Sequence, residues 1–337
     1  MSYKKIKIGI FGAGKMAEWH LKAYHSNPNV KIIGICNPNS NKGLLLSKKF
    51  NIPNVFKNEE DLLSLPDLDG IDISAPTGVH KDLICKSIEK GLHVYTEKPL
   101  CSNLKEANEI VKLNKKYNKI IFVGYNLRFC KEFQEIKKII DSNELGNINF
   151  ILMIRGTILD PNSYMFTQLN AGIIAEFSSH FIDLLRWWGK KDLAQVYVEG
   201  SNVFPNHPIP DSVCINLKFN DNSSAIIINT YALPGLVPEI RIFGSRKNLI
   251  LKYGKISIQT LPKKWSIYNL LWITLKEAIN FPYKFLYNPV KGACDHYIYC
   301  IQKNKRSFLD ENEGRENIRL AEILNRSYIQ KKIISLN

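Results

Sequence analysis

Closely spaced cysteines are missing from this chain. Its seven cysteines are odd in number and scattered, and no two of them form a C-x-x-C pair. Zinc sites and redox-active dithiols use that spacing, whereas secreted disulfide frameworks use an even set of cysteines. The pattern therefore predicts no metal site and no disulfide framework, and it fits a reducing cytoplasm.

Long hydrophobic runs are missing as well. A membrane-spanning helix needs about 20 mostly apolar residues, and no window of the sequence approaches that length. Met1 to Lys7 is basic, but the apolar run that follows is short and interrupted by glycines, so we expect no secretory signal. With 337 residues, of which 45% are hydrophobic, the chain is long enough for two ordinary globular domains.

Acidic residues are in short supply. Against 46 Lys and Arg there are 31 Asp and Glu, which leaves a net charge of +15. Such an excess suits nucleic acids, acidic membrane surfaces or anionic small molecules. The basic residues are spread along the chain, however, and no recognition helix, zinc finger or aromatic-basic RNA motif accompanies them. We therefore expect no nucleic-acid partner, and anionic ligands such as nucleotides stay possible.

The first part of the chain alternates apolar runs with helical patterns. Strands are predicted at Lys5 to Phe11, Val30 to Cys36, Gly70 to Ala75, Leu92 to Tyr95 and Ile120 to Gly124. Helices are predicted at Lys15 to His25, Glu59 to Leu65, Val79 to Lys90 and Leu104 to Tyr117. Strands that alternate with helices indicate a parallel, doubly wound sheet.

A glycine turn follows the first predicted strand. Gly12, Gly14 and Ala17 match the G-x-G-x-x-A form of the dinucleotide-binding fingerprint. Gly12 permits the tight turn and Gly14 lets a pyrophosphate approach the backbone, while the helix that starts here turns its free N–H groups toward the anion. We expect the cofactor to contact Gly12, Ala13, Gly14, Lys15 and Met16.

The end of the second strand leaves the choice of cofactor open. An acid usually stands there to accept the ribose hydroxyls of NAD, but this chain has Cys36-Asn37-Pro38-Asn39. Asn37 can hydrogen-bond a ribose without repelling the extra phosphate of NADP. Lys42 is close in sequence, although no arginine is. We predict NAD or NADP, with a slight preference for NAD.

A small-residue loop follows the third predicted strand. Ligands of such sheets bind outside the carboxyl ends of the strands. Ala75, Pro76 and Thr77 suit a loop that passes over the nicotinamide, and we expect His80 to contact the cofactor. Ordinary turn chemistry is the alternative reading of Pro-Thr-Gly.

The stretch VYTEKPLCSN places a lysine at the end of the next strand. Pro99 disfavours the helical region for Lys98, so the lysine backbone is extended or in a turn on the same edge of the sheet. Lys98 can there anchor a substrate hydroxyl or relay its proton. We also expect Glu97 and Lys98 to contact the cofactor. A surface lysine paired with Glu97 is the alternative.

A second group of polar residues lies in NAGIIAEFSSHFIDLLRWWG, residues 170–189. Its apolar periodicity predicts one amphipathic helix that begins after Gly172 and ends at Gly189. Glu176, His180 and Asp183 follow at spacings that share one helix face. Histidine suits general acid–base work because its unperturbed pKa lies near neutrality. A core histidine is the alternative, which the neighbouring acids disfavour.

Together these motifs resemble the Gfo/Idh/MocA oxidoreductases. The resemblance rests on the glycine fingerprint, TEKPL, GYNLRF and the acid-x-x-x-His-x-x-Asp helix in that order, and it covers about Lys5 to Ser257 and Gly292 to Lys331. It implies a Rossmann domain at residues 1–125 and a C-terminal α/β domain at 126–337 with an open, mostly antiparallel sheet. It also implies a homo-oligomer, a dimer or tetramer, formed through that sheet.

The same resemblance implies roles for individual residues. Lys98 would contact the reacting carbinol, and His180 would be the general acid and base. Glu176 stands where the family usually has aspartate, and Asp183 would orient the histidine or close its helix onto the sheet. The residues expected to line the substrate crevice, the last of them facing an anionic group, are Tyr125, Asn126 and Arg128.

The resulting hypothesis is an NAD(P)-dependent oxidoreductase that moves a hydride between nicotinamide and a CH–OH or C=O carbon. Its substrate would be a sugar, nucleotide sugar or polyol, and HFIDLLRWWG is similar to family members with surface-polysaccharide functions. A non-catalytic, cofactor-binding regulator on the same fold is the alternative, which loss of the lysine or histidine would favour. An NAD-dependent glycosidase needs a different histidine motif, which is absent from the sequence.

One aromatic segment, Trp265 to Val290, is longer than the resemblance explains. It contains two tryptophans among several tyrosines and phenylalanines. Three interpretations stay open, namely a cover for the sheet or an oligomer contact, a substrate lid, or an amphipathic segment on an acidic membrane.

Overall fold

The computed structural model describes residues 5–158, 172–189, 192–203, 210–232, 238–260 and 289–336, and the side chains of Ser40 and Glu176 also lie outside the description. The chain divides into two units. Unit 1 is Met1–Phe129 with Asn288–Glu322, and unit 2 is Cys130–Tyr287 with Ile323–Asn337. The predicted division into residues 1–125 and 126–337 did not anticipate that a C-terminal segment returns to unit 1.

The strands run in chain order as follows. They are β1 (Ile6–Phe11), β2 (Val30–Cys36), β3 (Val55–Phe56), β4 (Gly70–Ile73), β5 (His93–Thr96), β6 (Ile121–Val123), β7 (Ile148–Gly156), β8 (Leu193–Ser201), β9 (Ser212–Phe219), β10 (Ser224–Thr230), β11 (Glu239–Gly244), β12 (Lys247–Lys252), β13 (Lys255–Thr260) and β14 (Ile334–Ser335).

The helices follow the same order. They are α1 (Lys15–His25), α2 (Ser40–Phe50), α3 (Glu59–Leu63), α4 (His80–Glu89), α5 (Leu104–Tyr117), α6 (Lys131–Asp141), α7 (Ser179–Gly189), α8 (Pro289–Lys303) and α9 (Glu311–Gln330). Short 3-10 turns lie at Thr77–Val79 and Asn126–Phe129.

Unit 1 is built on a six-stranded parallel sheet in the order β3-β2-β1-β4-β5-β6. This confirms the predicted doubly wound sheet. The central strands are mostly apolar, as in parallel sheets that are buried on both faces. Ile8, Ile10, Ile71 and Ile73 are all 0% exposed, and each such side chain contributes about 1.5–3 kcal/mol when it leaves water.

Helix α2 was not predicted from the sequence. It begins after Asn39, whose side chain accepts a hydrogen bond from the Lys42 N–H, and it ends at Asn51 in a left-handed conformation. Its three successive leucines hide the helical period, since Leu44 and Leu45 are 45% and 69% exposed. An exposed apolar residue contributes nothing to the pattern from which amphipathic helices are recognised.

Unit 2 is built on an eight-stranded sheet in the order β13-β12-β11-β7-β10-β9-β8-β14. Neighbouring strands are antiparallel except β7 and β10, which are parallel. The predicted open, mostly antiparallel sheet is therefore confirmed. Along β10, Ala225 and Ile227 are buried while Ile228 is 38% exposed, because successive side chains of a strand point to opposite faces.

The predicted single helix between Gly172 and Gly189 is wrong in its first half. Gly172–Ser178 forms a π-helix, and the α-helix α7 starts only at Ser179. The Ser178 hydroxyl donates to the Ile173 carbonyl five residues back, at 2.9 Å, which matches the wider π turn. The spacing of four between Glu176 and His180 therefore does not place them on one α-helical face.

No helix within the described ranges is long and apolar enough to cross a membrane. The aromatic segment Trp265 to Val290 lies outside the described residues apart from its last two, which begin α8. Its three interpretations stay predictions.

Candidate functional site

The glycine turn of unit 1 depends on Gly12. Its φ is +103°, and a Cβ built there would lie 2.6 Å from the Ser74 carbonyl oxygen. Its N–H donates to the Cys36 carbonyl at 2.9 Å. A side chain at this position would strain the backbone and collide with the loop after β4. Gly12 is therefore required where β1, β2 and β4 end together.

The first turn of α1 fits a dinucleotide pyrophosphate. A Cβ built on Gly14 would meet nothing within 4 Å, so the backbone there faces open space. Ala17 is 0% exposed behind it, and Lys15 lies outside with its Nζ 5.3 Å from the Trp19 ring centre. The N–H groups of a helix's first turn are unpaired within the helix and attract anions. Ala13 and Met16 are half-buried beside this turn.

The residues expected to read the ribose lie after β2. The Asn37 amide nitrogen donates to the Asn39 carbonyl at 2.8 Å, so the group it offers a ribose hydroxyl is its carbonyl oxygen. Lys42 is exposed in the first turn of α2. Ala75, Pro76 and Thr77 follow β4 at the same edge of the sheet. The predicted cofactor residues of unit 1 are thus together at the carboxyl ends of its strands.

A buried histidine, which we did not predict as a site residue, joins the three central segments. The His20 Nδ1 lies 2.8 Å from the Asp72 Oδ2, and its Nε2 lies 3.0 Å from the Glu97 Oε1. Tyr24 and Ser74 each donate a hydroxyl to the Asp72 carboxylate, at 2.8 and 2.7 Å. His20 and Asp72 are 0% exposed. This His20 network links α1, β4 and the segment after β5.

The charge of His20 follows from these contacts. Desolvation alone lowers the pKa of His20, but the charges and hydrogen bonds of Asp72 and Glu97 outweigh it and raise that pKa to about 10. Both ring nitrogens then donate. Cys294 lies near enough that it, His20 and Asp72 place one potential metal ligand each within 4.8 Å. The existing hydrogen bonds already use His20 and Asp72, so we interpret the group as a hydrogen-bond network.

His80 is a second buried histidine of unit 1. It is 1% exposed, and its Nδ1 and Nε2 lie 2.9 Å from the carbonyl oxygens of Pro99 and Ala75. Backbone carbonyls thus face both ring nitrogens. His80 thus joins the loop after β4 to the segment after β5, and its contact with the cofactor stays a prediction.

Lys98 stands between two anchored neighbours. Glu97 is held by His20, and the Pro99 carbonyl is held by His80. Lys98 itself is half-buried, and its bond to Pro99 is cis. Because the chain is fixed on both sides, the lysine backbone has little freedom.

The three residues expected to line a substrate crevice differ in how deeply they are buried. Tyr125 is buried and Asn126 is half-buried after β6. Arg128 is 4% exposed, and its Nη2 lies 2.9 Å from the Glu313 Oε2. An arginine already paired with a carboxylate is a poor receptor for another anion. The structure therefore gives Arg128 a packing role within unit 1.

In unit 2, α7 carries two of the three predicted catalytic residues. His180 is half-buried in its first turn, and Asp183 is 1% exposed one turn later. The side chain of Glu176 lies outside the described residues. Ser178 before them accepts a hydrogen bond from the Asn229 amide at 2.8 Å, which ties the π-helix to β10.

A weak signal for the His20 network was present in the sequence. Asp72 interrupts an otherwise apolar strand, and a buried carboxylate needs a partner. That signal does not identify the partner, because His20 is 52 residues away.

Two family models match the chain. The Gfo/Idh/MocA model, described as an oxidoreductase family with an NAD-binding Rossmann fold, matches residues 6–125. The model of the Gfo/Idh/MocA C-terminal domain matches residues 133–250.

Individual relatives are more distant. The oxidoreductase YrbE of Bacillus subtilis is 28% identical over 248 residues, which are 72% of each protein. The myo-inositol 2-dehydrogenase of Thermotoga maritima is 23% identical over 247 residues, 72% of this chain and 73% of that protein. An oxidoreductase structure from Agrobacterium radiobacter, in complex with NAD+, L-tartaric acid and magnesium, covers 98% of both chains with a TM-score of 0.84 and 15% identity. That likeness shows the fold.

The two glycines of the turn predict opposite phenotypes. Gly12→Ala is expected to destabilise unit 1 by more than about 2 kcal/mol, because its φ is positive and its Cβ meets backbone. Gly14→Ala is expected to unfold within a few degrees of wild type, yet to raise the Kd for NADH at least about tenfold by filling the anion site. Thermal unfolding and calorimetric titration measure both effects. Wild-type NADH affinity in Gly14→Ala would contradict the assignment of the turn.

The His20 network predicts a pH-dependent stability. Because the pKa of His20 rises from 6.5 to about 10 on folding, its stabilisation is complete below pH 6.5 and is lost as pH rises to about 10. Between these values wild type should lose about 1.4 kcal/mol per pH unit relative to His20→Gln. Urea unfolding at several pH values measures this slope. His25→Gln, at the exposed end of the same helix, is the control and should keep the wild-type slope. Equal slopes for wild type and His20→Gln would refute a charged His20.

Proposed function

Because the chain belongs to the Gfo/Idh/MocA oxidoreductase family, we propose that it transfers a hydride between NAD and the CH–OH carbon of a sugar or polyol. The observation that carries the proposal is the placement of Lys98. The lysine follows a strand at the ligand-binding edge of the Rossmann sheet, and His20 and His80 fix the residues on either side of it.

The proposed chemistry divides between the cofactor and the chain. NAD, held by the glycine turn and the first turn of α1, supplies the hydride acceptor. Lys98 holds the substrate oxygen and stabilises the charge that develops on it. His180 takes the hydroxyl proton in oxidation and returns it in reduction, which is worth about 10²- to 10⁴-fold in rate. Asp183, buried one turn after His180, fixes the orientation of α7.

NAD rather than NADP is supported by two observations. The Agrobacterium radiobacter structure of the same fold holds NAD+. The Asn37 carbonyl oxygen accepts hydrogen bonds, which suits ribose hydroxyls, whereas a phosphate has no proton to donate there at neutral pH. Lys42 is the basic residue of α2 that would have to read the phosphate of NADP.

The substrate class is supported by the relatives. The Thermotoga maritima relative is named a myo-inositol 2-dehydrogenase, a polyol enzyme. A nucleotide sugar of surface-polysaccharide metabolism is the narrower form of the proposal, and the net charge of +15 supports an anionic substrate. A cofactor-binding regulator is the weaker candidate, because Lys98 and His180 are both present.

We also propose that the chain forms a homo-oligomer in the cytoplasm through the open face of the unit 2 sheet. On that face, β7 and β10 pair Leu152 with Ile226 and Ile154 with Ile228. These four side chains are half-buried or exposed, so they make an apolar stripe of the kind found in subunit interfaces. The scattered, free cysteines support a reducing compartment.

Replacing Lys98 tests the catalytic proposal. Lys98→Met is expected to lower kcat with NAD+ at least about 10²-fold, because the substrate oxygen loses its cation, and to leave the Kd for NADH nearly unchanged. NADH absorbance reports turnover on a panel of sugars, inositols and nucleotide sugars, and titration reports binding. Lys105→Met, an exposed lysine of α5, is the matched control. Wild-type turnover in Lys98→Met would remove Lys98 from the mechanism.

A charge on the open sheet face tests the oligomer. Ile228→Lys is expected to shift the protein toward the monomer, because the lysine would have to lose its hydration in the contact. Light scattering after size-exclusion chromatography measures the mass. Ile329→Lys, at a 75% exposed position of α9, should leave the mass unchanged. An unchanged mass in Ile228→Lys would exclude this face.

A further inference from the structure

Among the residues that the structure describes, two buried polar atoms on neighbouring strands of unit 2 have no hydrogen-bond partner. They belong to Arg155 near the end of β7 and to Asn229 near the end of β10, which are register partners in the parallel strand pair. The Arg155 Nη1 and the Asn229 Oδ1 are both buried, and neither has a hydrogen-bond partner within the part of the chain that the structure describes. Buried polar atoms without partners are rare, so each such atom calls for an explanation.

Both side chains point to the covered face of the sheet. Ile151 and Met153 precede Arg155 at alternate positions of β7 and are 5% and 0% exposed. Asn229 follows Ile227 in the same way on β10, and both are 0% exposed. Because alternate residues share one face, Arg155 and Asn229 lie together under the π-helix.

The cation of Arg155 is only partly compensated. Its guanidinium carbon lies 4.2 Å from the centre of the Phe177 ring, which is a cation–π contact. Burial lowers its pKa to about 10, so the side chain is still charged at neutral pH. No ion pair with a carboxylate is found for it among the described side chains. The ring covers one face of the guanidinium, and the Nη1 at its edge has no acceptor among the described residues.

The neighbouring amide is held in one orientation. The Asn229 nitrogen donates to the Ser178 hydroxyl, which in turn donates to the Ile173 carbonyl. The Asn229 carbonyl oxygen is the acceptor of this amide that stays unused among the described residues. The charged Arg155 guanidinium and the Asn229 carbonyl oxygen therefore lie on neighbouring strands. Each residue is the one before the last of its strand.

We propose that Arg155 and Asn229 form a subsite for the carboxylate and an adjacent hydroxyl of the substrate, so that the substrate is an acidic sugar or sugar acid. The proposal rests on the proposed function and narrows it. A planar guanidinium binds a carboxylate through two parallel hydrogen bonds, and the amide oxygen accepts from a neighbouring hydroxyl. A single arginine suits a singly charged carboxylate better than a doubly charged phosphate.

Matched ligands test the charge preference. The carboxylates D-glucuronate and D-gluconate, neutral D-glucose and a phosphate ester of D-glucose are titrated into the NADH-loaded protein by calorimetry. At least one carboxylate is expected to bind about tenfold more tightly than glucose, and Arg155→Met should lose that advantage while its Kd for NADH stays unchanged. Preference for the phosphate ester would overturn the carboxylate assignment. Equal affinities for all four, as expected if water fills the subsite, would overturn the subsite itself.

A second variant covers the case in which Arg155→Met folds poorly. Asn229→Asp keeps the size of the side chain and places a carboxylate beside Arg155. It is expected to raise the Tm and to abolish carboxylate binding, a combination that a purely structural role does not produce. Retained carboxylate binding in Asn229→Asp would refute the proposal. Binding is read without turnover, so a protein that binds glucuronate but does not oxidise any substrate would fault the proposed function and leave the subsite standing.

Discussion

The imidazole of His20 is the contact on which the site of unit 1 depends. Asp72 is the last residue but one of β4, and Glu97 directly follows β5. Their two carboxylates therefore contact the same imidazole near the carboxyl ends of these strands. Buried carboxylates lose their hydration and repel each other. A cation between them offsets both effects, and because His20 belongs to α1, the same contact sets the glycine turn against the two strand ends. The cofactor residues and Lys98 thus share one anchor.

His80 holds the same region through contacts with the backbone instead of contacts with carboxylates. His20 compensates charge, whereas the ring nitrogens of His80 lie 2.9 Å from two backbone carbonyls, those of Ala75 and Pro99. Lys98 therefore lies between a neighbour fixed through its side chain and a neighbour fixed through its backbone. A lysine on a fixed backbone is confined to a small volume, which is what a group that must meet a substrate oxygen requires.

Local signals predicted most of the fold and part of the site. Apolar periodicity and the glycine turn act over a few residues, so the strands of unit 1 and the position of Lys98 could be read from the sequence. Contacts between distant residues could not, because His20 and Glu97 are 77 residues apart. The π-helix was missed since its apolar pattern resembles that of an α-helix. The role of Arg155 could not be read from the sequence either, because a sequence does not show which buried polar atoms lack partners.

The histidines of the unit 1 site and the Arg155–Asn229 pair of unit 2 differ in how their buried polar atoms are satisfied. In unit 1, the ring nitrogens of His20 and His80 are all matched by acceptors of the protein. In unit 2, Arg155 and Asn229 each keep a buried atom unmatched by the described residues. A matched group rigidifies its surroundings, whereas an unmatched one lowers stability until a ligand or water satisfies it. The matched histidines therefore serve positioning, and the unmatched pair gains its partners from what it binds, so selection for substrate recognition explains a defect that selection for stability would remove.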